Sequence, residues 1–180
     1  MLYVGNAYPH KNLERLVDAF ALVVKEFPDI KLIFVGKEDY FYRQLQEKVK
    51  SLALEKQIVF VGFIAEDELQ VYYENAQATI LPSLMEGFGL TGLEAMQAGC
   101  LVLASAIPSL KEIYQDAAIY FDPLAVESIH ATIREVLEKK QSLHLYKEKG
   151  GKQVATFSWK RMAVETLKIY ESSVSIRSDQ

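Results

Sequence analysis

The chain has 180 residues, of which 50% are hydrophobic, 24% charged and 11% aromatic, which fits one globular domain and excludes disorder as the main state. Its formal net charge of −4 excludes a strong basic footprint, so no nucleic-acid partner is expected. The single cysteine, Cys100, allows no internal disulfide and suits a reducing compartment.

Taken in order, strand and helix signals alternate. Leu2 to Val4 is a short apolar run ending at Gly5. Asn12 reads as an N-cap for a helix with Leu13, Leu16, Val17, Phe20, Val23 and Val24 at helical spacing, stopped by Pro28. Lys31 to Val35 reads as a strand, 39–54 as a helix, Ile58 to Val61 as a strand and 66–75 as a helix. Ala78 to Leu81 is a strand ending at Pro82, followed by a helix over 88–98 that Gly99 stops. Leu101 to Ala104 and Ile119 to Phe121 are the last strands, with a short helix over 108–114 between them. Helices over 125–139, 142–156 and 158–172 close the chain. Trp159 and Tyr170 are expected to pack the last of these on the domain, and Cys100 to be a buried packing thiol.

Several strands are continuous apolar runs, as in strands buried on both faces. The fold class expected is α/β, a doubly wound parallel sheet of about six strands flanked by helices. Residues 1–172 are read as one domain and 173–180 as a frayed tail. No run reaches the roughly 18 apolar residues of a transmembrane helix. The start, Met1-Leu2-Tyr3-Val4-Gly5, lacks a signal-peptide pattern and reads as a strand entered without preamble, which predicts residues missing upstream.

In such a sheet a ligand sits beyond the C-terminal strand ends, where the strand order reverses. With the order 3-2-1-4-5-6, the loops after the first and fourth strands face each other there. The first, from Gly5 to Lys11, lacks both G-x-G-x-x-G and the P-loop pattern, which argues against a dinucleotide dehydrogenase. It offers Lys11, a cation just before a helix. The second runs Glu86-Gly87-Phe88-Gly89-Leu90 into a helix start, where free N–H groups and the positive dipole end suit a phosphate. A phosphate is therefore expected between Lys11 and this helix start. Glu86 and Glu94 are eight residues apart, roughly 12 Å if helical, which implies no tight acid/base pair. Two acceptors gripping hydroxyls along one ligand fit that spacing better.

These motifs resemble a known family. Val4-Gly5, Lys11-Asn12-Leu13, Glu86-Gly87-Phe88-Gly89-Leu90, Leu93-Glu94-Ala95-Met96 and Gly99, with Phe157-Ser158-Trp159 and Tyr170 further on, are similar to the C-terminal, donor-binding domain of a GT-B glycosyltransferase of family 4. The likeness covers nearly the whole chain. It implies transfer of a sugar from a nucleotide diphosphate sugar, with retention at the anomeric carbon. Lys11 would neutralise the diphosphate beside Gly5 and Asn6. The N–H groups around Gly87, Phe88, Gly89, Leu90 and Thr91 would hold sugar and phosphate oxygens. Glu86 would contact the donor sugar's hydroxyls and Glu94 those of the ribose. Gly62, Phe63 and Ile64 would border the base. Lys11 and Glu86 would be the catalytic residues, with charge stabilisation of the leaving diphosphate coming from Lys11 and the helix dipole.

The resemblance implies no obligate cofactor, and His10, His130 and His144 show no metal-ligand spacing. Asn6 and His10 beside Lys11 resemble mannosyltransferase-like members of the family, a likeness that implies GDP-mannose as donor, with a UDP-sugar as the other. The implied partners are a glycan or lipid-linked acceptor and an N-terminal GT-B domain, without which this chain is expected to bind nucleotide sugar weakly and transfer nothing. A cytoplasmic location is expected, with peripheral contact at the inner membrane face as a variant of it. Two departures stand out. Asn6 occupies a place where many members carry arginine, leaving Lys37 as a substitute cation, and Thr91 replaces a common proline. The alternatives are a sugar-nucleotide epimerase of the same fold and a non-catalytic binding subunit.

Overall fold

A computed structural model describes residues 1–139 and 143–175. Six parallel strands, β1 (Leu2–Val4), β2 (Leu32–Val35), β3 (Ile58–Gly62), β4 (Thr79–Leu81), β5 (Val102–Ser105) and β6 (Ile119–Phe121), form one sheet in the order β3-β2-β1-β4-β5-β6. The expected order holds, with β1 paired to both β2 and β4 at the reversal. Among the described residues eight α-helices accompany them: α1 (Leu13–Glu26), α2 (Tyr40–Ser51), α3 (Glu66–Asn75), α4 (Leu90–Gln97), α5 (Pro108–Tyr114), α6 (Val126–Glu138), α7 (His144–Val154) and α8 (Trp159–Ser175). The expected helix start at Ser142 lies outside the described residues, as do positions 176–180. The last helix, α8, expected to end at Ser172, runs to Ser175.

Alternate residues of one strand feed opposite faces, because successive side chains point to opposite sides of a sheet. Tyr3 and Ile80 enter the core beneath α1, α2 and α6, with Leu16, Phe20, Tyr42 and Ile133. Leu2 and Leu81 enter the other core, with Tyr73, Leu93, Leu110 and Tyr114 from α3, α4 and α5. Two apolar faces account for strands that read as unbroken apolar runs.

The helix ends carry local chemistry. The Asp39 carboxylate accepts from Tyr42 N–H at 3.0 Å and caps α2. After α4, Gly99 N–H donates to Met96 O and Cys100 N–H to Ala95 O at 2.8 Å, a Schellman end that needs Gly99 at φ 71°. Asn12 precedes α1 but does not cap it with its side chain. It stands at φ 61°, and its amide is used elsewhere. Two short 3-10 turns, Pro9–Lys11 and Gln115–Ala117, were not legible in the apolar pattern because they bury no stripe.

The last helix departs from expectation. Trp159 is 72% exposed and Tyr170 64%, and neither packs on the sheet. Trp159, Met162, Leu167 and Tyr170 recur at helical spacing, yet none of the described side chains of α8 joins either core. No helix among the described residues is long and apolar enough to cross a membrane.

Candidate functional site

The first loop leaves β1 through Gly5 at φ 144°, a conformation side chains resist. Tyr42 Oη donates to Gly5 O at 2.8 Å and Tyr3 Oη to Asn6 O at 2.6 Å. A Cβ on Gly36 would overlap both Gly5 O and Tyr42 Oη, so that glycine admits the contact. The chain then turns through Pro9–Lys11, and Lys11 N–H donates to Tyr8 O at 2.8 Å.

Asn12 ties this loop to two others. Its buried Nδ2 donates to Pro82 O at 3.0 Å and Pro123 O at 2.8 Å, the exits of β4 and β6. Arg15 donates to its Oδ1. Leu84 N–H donates to His10 O at 2.8 Å, so the loops after β1 and β4 share a backbone bond as well.

Between these loops Lys11 Nζ meets Glu86 Oε1 at 2.6 Å. Ser83 Oγ donates to the same oxygen at 2.7 Å. The two charged side chains are only 19% and 13% exposed. Such a sheltered pair holds when further hydrogen bonds complete it, and removal of one partner leaves a costly lone charge. Sequence spacing named both charged residues; it did not reveal Ser83, which is 1% exposed and buried beneath them.

Beyond Glu86, Gly87 and Phe88 lie on the surface and Gly89 turns at φ 78° into α4. The helix begins at Leu90, two residues later than expected, because Gly89 is left-handed. Tyr114 Oη donates to Gly89 O at 2.5 Å. The N–H groups of Gly87 through Thr91 have no acceptor among the described residues, as is usual for a helix start. Glu94 stands exposed on the next turn, where buried Tyr73 donates to it at 3.3 Å. Gly62 turns at φ 78°, Phe63 is 82% exposed, and Ile64 packs against the core. Lys37 is exposed and makes no ion pair among the described residues.

A groove of about 400 Å³ lies beside the Lys11–Glu86 pair, lined by Tyr8, Glu14, Arg15, Phe41, Gln44 and Leu84 among others, and includes neither charged residue of the pair. Among the described residues no group of His, Cys, Asp or Glu is placed to hold a metal ion. Cys100 is buried, contacts Thr79 Oγ1 at 3.4 Å, and burial pushes its thiol up from the ordinary range.

A doubly wound sheet in this order, with these loops at its reversal point, is the architecture of a GT-B glycosyltransferase domain. The profile of the glycosyl transferases group 1 family matches residues 1–153, and the chain belongs to that family. Over 174 residues it is 33% identical to O-antigen chain mannosyltransferase B from Escherichia coli, covering 94% of this chain and 45% of that protein. Among solved structures it is similar to sucrose-phosphate synthase from Thermosynechococcus elongatus, at 28% identity and a TM-score of 0.86, over 97% of this chain and 45% of that one. It is also similar to the C-terminal domain of a glycosyl transferase group 1 family protein from Francisella tularensis, at 26% identity and a TM-score of 0.75, over 86% and 84% of the two chains. The chain thus spans under half the length of that mannosyltransferase and of the synthase.

Proposed function

We propose that this chain is the donor-binding half of a retaining, family 4 glycosyltransferase whose donor is a nucleotide diphosphate sugar. The observation that carries the reading is the Lys11–Glu86 pair, 2.6 Å apart across the loops after β1 and β4. A cation, a carboxylate and a row of N–H groups without acceptors among the described residues belong to the two loops there. Lys11 turns from Glu86 to the diphosphate when donor binds, and the α4 start adds its dipole. Both stabilise the charge that grows on the departing diphosphate. Glu86, held by Ser83, then receives the sugar hydroxyls. Glu94 takes the ribose hydroxyls and Gly62, Phe63 and Ile64 border the base. No step uses a metal or cofactor.

A mannosyl donor is favoured by the Escherichia coli relative, which is named a mannosyltransferase. GDP-mannose is therefore the first donor in this reading. The solved Francisella tularensis C-terminal domain is matched over 84% of its length, which supports placing this chain in the C-terminal half of its enzyme. The acceptor, a glycan or lipid-linked glycan, would be held by the other half, and this chain alone would transfer nothing.

Calorimetric titration with GDP, UDP, ADP and their sugars tests the reading. One nucleotide should bind selectively, and Lys11→Ala and Glu94→Ala should each weaken it at least about tenfold, the scale of one lost charge-assisted hydrogen bond. If the folded chain binds none of them, or if both variants bind as the parent does, the donor assignment is wrong.

A further inference from the structure

Three core tyrosines reach carbonyls of the two site loops. Tyr3 donates to Asn6 O at 2.6 Å, Tyr42 to Gly5 O at 2.8 Å and Tyr114 to Gly89 O at 2.5 Å. The three residues are 2%, 1% and 0% exposed. A buried phenol needs some acceptor, so one such bond would be unremarked. Other tyrosines find theirs elsewhere: Tyr120 donates to Gln115 O at 2.7 Å and Tyr73 to the Glu94 carboxylate. The three that reach the site loops come from β1, α2 and α5, on both faces of the sheet.

The peptide plane gives these bonds a consequence. In a trans peptide the carbonyl of one residue and the N–H of the next point in opposite directions. A tyrosine that draws in Gly5 O turns Asn6 N–H away from itself. The same holds for Asn6 O and Ala7 N–H, and for Gly89 O and Leu90 N–H. None of these three N–H groups has an acceptor among the described residues. Two belong to the loop that carries Lys11 and one to the start of α4, the helix that follows Glu86.

We propose that Tyr3, Tyr42 and Tyr114 are positioning residues that hold the Asn6, Ala7 and Leu90 amides as the face receiving the diphosphate of a nucleotide sugar. The proposal rests on the donor-binding reading above. It gives the loop after β1 a means of binding a diphosphate without the arginine that Asn6 replaces, since oriented amides supply partial positive charge in its stead. Burial raises all three phenols above the ordinary tyrosine range. They therefore remain donors through neutral and mildly alkaline pH.

The test uses Tyr3→Phe, Tyr42→Phe and Tyr114→Phe, which keep each ring and remove only the hydroxyl. Parent and variants are titrated with GDP, UDP, inorganic pyrophosphate and the nucleosides guanosine and uridine. Each variant should bind the diphosphate-bearing ligands about three- to tenfold more weakly, with nucleoside affinity unchanged. A purely structural role would leave affinity alone or reduce it for all ligands alike, and either result overturns the proposal. On the parent chain, pyrophosphate should shift the amide resonances of Asn6, Ala7 and Leu90. If it binds and these three stay still, the proposal is wrong even should a variant fail to fold. If the parent binds no nucleotide and no pyrophosphate, the proposal falls together with the donor-binding reading, whereas parent binding that survives all three substitutions removes the proposal alone.

Discussion

At Gly92 there is no side chain because the Tyr114 ring occupies the place of one. A Cβ there would overlap Tyr114 Oη and Cζ, and one on Gly89 would overlap the same hydroxyl and meet Leu110. Gly92→Ala should therefore destabilise the chain by about 1–3 kcal/mol, the usual cost of overpacking a core. Chemical denaturation checks this, and an unchanged midpoint would mean that Tyr114 moves aside freely. Lys11, Glu86 and the Gly87–Gly89 turn could be picked out of the sequence, because the glycines mark a helix start and the loops after the first and fourth strands are expected to face each other at the sheet reversal. Ser83 and the three tyrosines could not. Where a hydroxyl points is decided by residues up to 37 positions away, as for Tyr42 and Gly5, and no local pattern carries that information.

Elements set by an apolar stripe were the most legible. For α1 the buried Leu13, Leu16, Val17, Phe20 and Val23 repeat the spacing that announced it. The alternation of strands with helices announced a doubly wound sheet, but the order 3-2-1-4-5-6 entered as the common arrangement of such sheets and not from any residue, and the structure has that order. The start of α4 was misplaced because a glycine in a left-handed turn looks the same in sequence as one inside a helix. The fate of α8 was misjudged for another reason. Its stripe shows that it is amphipathic, but not that anything covers it. The core ends with Phe157, whose ring meets Phe88 edge to face at 5.5 Å. A chain truncated after Ser158 should melt within about 2 °C of the full chain, since it loses no core contact. It should also scatter less light at high concentration, because exposed apolar patches promote association. A much larger fall in the melting temperature would show that α8 packs on the sheet after all.

Across the whole molecule, burial also sets a pH limit. Tyr3, Tyr42, Tyr73 and Tyr114 are held above the ordinary tyrosine range mainly by desolvation, and Tyr120 is pushed up to about 12. The folded state thus keeps protons that the unfolded chain releases near pH 10. These tyrosines contribute no slope below that pH and lower stability as pH rises beyond it, by up to about 1.4 kcal/mol per pH unit for each, and the raised Cys100 thiol begins the fall somewhat earlier. Urea midpoints measured between pH 8 and 11.5 decide this; a flat profile would mean that the phenols ionise in place.

The Asn12 amide bears on how the molecule forms. Its bond to Pro123 joins residues 111 positions apart, and its bond to Pro82 spans 70. Contacts that close loops of this length are entropically deferred until the segments between them have order. The crevice between Lys11 and Glu86 thus exists only when the loops after β1, β4 and β6 are all in place, and a nucleotide that fits it would recognise the folded molecule and not a part of it.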